Sequence, residues 1–141
     1  MEGKNTFLIS QDGHGSNAKK KQIMEFNELY WHDSVIKKIE IDRNHPGEND
    51  TISFEIDWYD TGISKILFED VYWLRMDMNF GVIAEESIYE AYIASDDDID
   101  IVRFTEKWSG VLKEALPCFI IKTASTGSEI KIIAKKFRED K

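Results

Sequence analysis

With 141 residues, 42% hydrophobic and 12% aromatic, the chain is long enough for one packed core and too rich in large apolar side chains to remain disordered. No apolar run approaches the roughly 20 residues that span a bilayer, and the first residues lack the apolar stretch of a secretory signal, so a cytoplasmic protein without membrane contact is expected. The net charge of −9 is concentrated in residues 40–100, where seventeen Asp/Glu face three Lys/Arg; such a block repels nucleic acid and favours a cationic partner.

Residues 1–22 combine a short apolar piece, a Gly/Ser/Asn stretch and a lysine triplet. They read as a loose extension or as an edge strand at Phe7–Ser10, with residues 12–17 a loop and residues 23–141 a single β-rich domain. Ile23, Phe26 and Tyr30 lie three and four apart, as in a short helix. In residues 35–42, Val35, Ile39 and Ile41 share one parity of a half-buried strand and Lys37 breaks it. A turn-rich loop over residues 43–50 leads into the cleanest alternation of the chain: Ile52, Phe54, Ile56 and Trp58 on one side, Ser53, Glu55, Asp57 and Tyr59 on the other.

Residues 64–80 form one long strand whose apolar face runs from Ile66 and Phe68 to Leu74, Met76, Met78 and Phe80. Asp70 interrupts that face, which predicts a bulge near Glu69–Asp70. Residues 84–94 fit a helix or a strand, and their β-branched and aromatic content favours strand. Ile101, Phe104, Trp108, Val111, Leu112 and Ala115 fall at helical spacing behind a run of aspartates suited to a helix N-terminus, and Pro117 ends the element. Two closing strands flank Ser-Thr-Gly-Ser as a hairpin. The order predicts an α+β fold: a mainly antiparallel sheet of about six strands, one packed helix near residues 99–115, and a C-terminal β-hairpin.

His32, Asp33 and Ser34 carry the residue types of a hydrolytic relay. Neighbours in an extended segment point to opposite faces, however, so their expected role is structural: Asp and Ser side chains bonding backbone N–H groups at the entry to a strand, with His32 bridging. Gly13–Ser16 has the serine in the wrong place for a nucleophile elbow. Asp96, Asp98 and Asp100 occupy positions one, three and five of a calcium loop, but Ile101 stands where glycine is needed and Lys107 where glutamate is needed. The three histidines are far apart, and the lone Cys118 can form no intrachain disulfide, so neither metal nor cofactor is expected.

The His32-Asp33-Ser34 run before an alternating strand, the long acidic sheet after it, and the closing strand pair around Ser125–Gly127 resemble a group of small β-rich bacterial proteins. Some of these act as immunity proteins beside polymorphic or contact-dependent toxins. The likeness extends over residues 28–137 by layout, and residues 1–22 depart from it. It implies a non-enzymatic role, in which the chain binds a cognate toxin domain and covers its active site. The acidity points the same way, because a nuclease toxin must be basic to hold nucleic acid. The expected contact surface comprises Glu55, Asp57, Tyr59 and Asp60 with the turn Asp96, Asp97 and Asp98, the aromatic serving as anchor among the charges. Two alternatives are a small-ligand-binding β module, which needs an internal cavity, and a hydrolase using His32, which needs a second polar residue beside it.

Overall fold

A computed structural model describes residues 13–112 and 114–140. Among these, six strands, β1 (Val35–Asp42), β2 (Thr51–Trp58), β3 (Gly62–Asp77), β4 (Glu86–Ile93), β5 (Cys118–Thr123) and β6 (Glu129–Asp140), accompany two helices, α1 (Gly13–Glu28) and α2 (Ile99–Lys107). The strands close into an antiparallel barrel in the order β1-β2-β3-β6-β5-β4. The α+β class, the six strands, the strand at residues 84–94 and the C-terminal hairpin follow the sequence pattern.

Alternation builds the barrel wall. Ile52, Phe54, Ile56 and Trp58 of β2 point inward and are buried, and Ile66 and Phe68 of β3 meet them across the register Ile52↔Phe68 and Phe54↔Ile66. In β1 the predicted parity fails. A bulge between Ile36 and Lys38 lets Ile36 face inward opposite Ile56, while Ile39 and Ile41 resume that face after the extra residue. The bulge flips the strand by one residue, so Val35 lies on the outside, and Lys37 is no longer an exception. The irregularity expected in β3 is present: Asp70 adopts φ 54° and the pairing with β6 shifts between Val71 and Trp73. Phe80 does not continue the apolar face; it lies beyond β3 and projects into water.

The lumen is filled by side chains rather than open. Phe54, Phe68, Phe119 and Phe137 stack edge or tilted against one another among Ile56, Ile66, Ile121, Ile130 and Ile132, all at 0–2% exposure. Phe26, from the last turns of α1, completes this cluster, with ring centroids 4.6 Å from Trp31, 5.0 Å from Phe119 and 5.2 Å from Phe137. The helix is longer than the sequence suggests: residues 13–22, read as part of an extension, are helical, because a helix docked by Phe26 lengthens at one hydrogen bond per residue. Phe7–Ser10 lie outside the described residues.

A second layer forms outside the wall. Ile101, Phe104 and Trp108 cover Cys118, Ile120 and Ile133 on the outer face of β5 and β6, joined by Tyr72, Trp73 and Leu116. Helix α2 stops at Lys107 instead of near residue 115. Trp108 caps it, and Gly110 at φ 86° takes the left-handed conformation that lets the chain turn away. Val111, rotated out of the stripe, is therefore exposed, while Leu112 still packs.

Since Phe26 packs α1 against four aromatic rings, those of Trp31, Phe68, Phe119 and Phe137, Phe26→Ala is expected to cost about 3–5 kcal/mol. Urea unfolding followed by tryptophan fluorescence should show the lower midpoint at an unchanged slope.

Candidate functional site

The segment 29–34 links α1 to the barrel through backbone bonds that the sequence does not announce. Trp31 is buried and its Nε1–H donates to the Phe26 carbonyl at 2.7 Å, closing the helix end. Asp33 takes φ 69°, and its N–H donates to the Ile88 carbonyl at 2.9 Å. The Ile88 N–H returns to the Ser34 carbonyl at 2.7 Å. The fully buried Ser34 hydroxyl donates to the Tyr30 carbonyl at 2.6 Å and accepts the Tyr59 N–H at 3.0 Å. Of the predicted structural run, Ser34 thus acts through its side chain and Asp33 through its backbone. His32 spans nothing: its ring is exposed, with Nδ1 3.2 Å from the Asp33 carboxylate and the Tyr89 ring 6.5 Å away.

One consequence is a rigid aromatic pair at the surface. With the backbones of Tyr30 and Tyr59 held on either side of one hydroxyl, their rings stack at 5.4 Å and 16°, and both remain about half exposed or more. Asp57, on the outer face of β2, lies between Val35 of β1 and the exposed Ile63 of β3. Asp60 follows in the β2–β3 turn and accepts a bond from Thr61 at 3.4 Å. Neither carboxylate has an ion-pair partner among the described residues. Glu55 differs: it stands between Lys38 and Lys65 across the sheet, in a row of alternating charge that Asp140 continues on β6. Its charge is locally balanced.

The acidic turn is not part of this patch. Asp98 caps α2, accepting the Asp100 N–H at 2.9 Å and the Ile101 N–H at 3.4 Å. Its other oxygen takes a 2.8 Å bond from Lys131, which also reaches Asp100 at 2.8 Å, while Arg75 holds Asp100 at 3.1 Å. Asp97 accepts the Ser95 hydroxyl and Asp96 is exposed. This cluster rests on β6, whereas Asp57 sits on β2 with β1 and β3 as neighbours, so the fold places the two groups of predicted contact residues on different walls.

Electrostatics follow the geometry. Burial by itself pushes the Asp98 carboxyl up, but the bonds from Lys131 and the Asp100 N–H, with the Lys131 charge, hold it below its usual 3.8. Burial likewise pulls the Lys131 ammonium down, and the two carboxylates carry it above 10.5. In the loop 43–50, the Gly47 N–H and then Arg43 hold Asp50 low. Burial pushes the Cys118 thiol up to about 12, so it stays protonated and unreactive.

Tyr30, Ile63 and the apolar loop at residues 80–83 were not legible as surface features, because exposure depends on which neighbours the fold supplies; the only local hint is an aromatic placed among charged residues. No protein-family model, curated protein or solved structure matches this chain. None of the described helices is long and apolar enough to cross a membrane.

Two outcomes test this account. Ser34→Ala leaves the Tyr59 N–H and Tyr30 carbonyl without their shared partner and should cost about 1–3 kcal/mol in urea unfolding. Lys131→Met should cost about 3 kcal/mol at pH 7 by leaving the part-buried Asp98 without a cation and Asp100 with Arg75 alone. Because the folded pKa of Asp98 is lowered, the stabilisation of the wild type is present above 3.8 and drains as pH falls further, while the variant's carboxylates gain protons; the gap between the two unfolding curves should narrow below that pH.

Proposed function

We propose that this chain is a non-catalytic, immunity-type binding module that neutralises a basic, nuclease-like toxin domain by covering it with an acidic face. The observation that carries the reading is the exposed Tyr30–Tyr59 stack, pinned by the Ser34 hydroxyl beside the unpaired carboxylates of Asp57 and Asp60. A preorganised aromatic pair loses little entropy on docking and forms the hot spot of an interface. Unpaired carboxylates around it speed encounter with a cationic surface and reject anionic ones. Glu55 contributes little to the long-range field in this reading, since Lys38 and Lys65 flank it. The filled lumen supports protein binding over a small-ligand module, which would need a cavity there. The Ser34 hydroxyl, spent on two backbone groups, supports it over a hydrolase using His32.

The test is calorimetric titration against the purified product of the adjacent reading frame. Asp57→Lys/Asp60→Lys, with a wild-type melting temperature, should weaken the Kd at least tenfold and slow association most at low salt. Asp96→Lys/Asp97→Lys on the other wall should change it little. An unchanged Kd in the first variant overturns the surface, and no binding by the wild type overturns the function.

A further inference from the structure

The loop between β3 and β4 carries the two most exposed large apolar side chains among the described residues, Ile83 at 103% and Phe80 at 84%, with Val82 at 50% between them. Single exposed apolar residues are ordinary, whereas three on one short arch are not. Nor is the arch loose. At its start the Asn79 side-chain amide donates to the Thr126 carbonyl at 2.9 Å, and the Asn79 N–H donates to the Ser128 hydroxyl at 3.4 Å. At its end the Ser125 hydroxyl donates to the Glu85 carbonyl, and Lys37 of β1 pairs with the Glu85 carboxylate at 3.7 Å. Both feet are held, so the apolar tip stands in water without a free loop's option of folding back onto the barrel.

The wall beneath the arch runs on to the tyrosine pair. Lys37 connects Glu85 to β1; Ser87 of β4 pairs with Val35, Val35 with Asp57, and Asp57 with Ile63. Tyr89, 54% exposed, lies on the same stretch beside the His32 ring. Asp57 and Asp60, without an ion-pair partner among the described residues, line the tyrosine end, and Glu85, held by Lys37, stands at the foot of the arch. Such a wall repels an anionic lipid surface, and a second copy would bring like charges face to face. A basic protein meets both requirements, apolar and electrostatic.

We infer that Phe80, Val82 and Ile83 form the apolar anchor at the far end of the same partner-binding face, entering an apolar pocket rimmed by Lys or Arg on the protein that Tyr30 and Tyr59 contact. This rests on the binding role proposed above and extends the interface along the β1–β4 seam. The deciding variant is Phe80→Ser/Ile83→Ser, whose side chains touch no core and whose melting temperature should match the wild type. Against the product of the adjacent reading frame it should bind at least tenfold more weakly, chiefly through faster dissociation, whereas Asp57→Lys/Asp60→Lys should act chiefly on association. Wild-type affinity in the loop variant, with weakened binding in the carboxylate variant, removes the anchor and leaves the binding role standing. Absence of binding by the wild type removes both. Sedimentation of the chain alone, and flotation with phosphatidylcholine or phosphatidylglycerol vesicles, complete the test. A wild-type dimer or vesicle binding that the loop variant abolishes assigns the arch to another occupant and overturns the inference.

Discussion

Barrel closure at the seam between β1 and β4 is the constraint on which the rest of the molecule depends. Only two register pairs, Val35↔Ser87 and Ile36↔Glu86, join these strands, whereas β3 and β6 pair over most of their length. Two turns reinforce the short seam. From one side Asp33 and Ser34 exchange backbone bonds with Ile88. From the other, the Ser125–Ser128 turn grips the start of β4: the Ala124 N–H donates to Ser87, and the Thr126 and Ser128 hydroxyls donate to the Glu86 carboxylate. The two short motifs that stand out in the sequence, more than ninety positions apart, converge on the first residues of one strand. Closure leaves few unpaired strand edges and creates the lumen that Phe26 fills.

Folding also rewrites the charge map. Residues 40–100 look heavily uncompensated along the chain, yet several of their carboxylates find cations from outside that block. Lys131 holds Asp98 and Asp100, Arg138 holds Glu69, Lys122 approaches Glu90, and Lys37 holds Glu85. The exposed pairs contribute little to stability. The cluster at Lys131 is different, because its members are mostly withdrawn from water and its geometry orders the first turn of α2. Six of the seventeen carboxylates are ion-paired among the described residues; Asp57 and Asp60, beside the Tyr30–Tyr59 stack, are among those that are not.

Sequence periodicity made most of the fold legible. Inward parity in β2, the strand at residues 86–93, the helical stripe of Ile101, Phe104 and Trp108, and the terminal hairpin all follow from which side chains must leave water together. The failures share a cause. The bulge at Lys37 shifts the parity of β1, and Gly110 ends α2 early; both are backbone events that a pattern of side chains does not encode. The site was legible only in part. Asp57, Tyr59 and Asp60 lie together, but Tyr30 joins them through Ser34, and the acidic turn belongs to another wall.

The amino-acid sequence by itself determined most of the strands, the inward face of β2, the apolar stripe of α2 and the excess of negative charge, because each depends on residue type and local spacing. Only the tertiary structure decided which carboxylates are ion-paired, that the lumen is full, that Tyr30 stacks on Tyr59, and that the Phe80–Ile83 loop is held at both feet. Those properties depend on strand order, register and closure, which bring residues far apart in the chain within bonding distance. For the opening run His32-Asp33-Ser34 the same reason holds: its composition suggests chemistry, but its neighbours in space are backbone groups, and they make it a clasp.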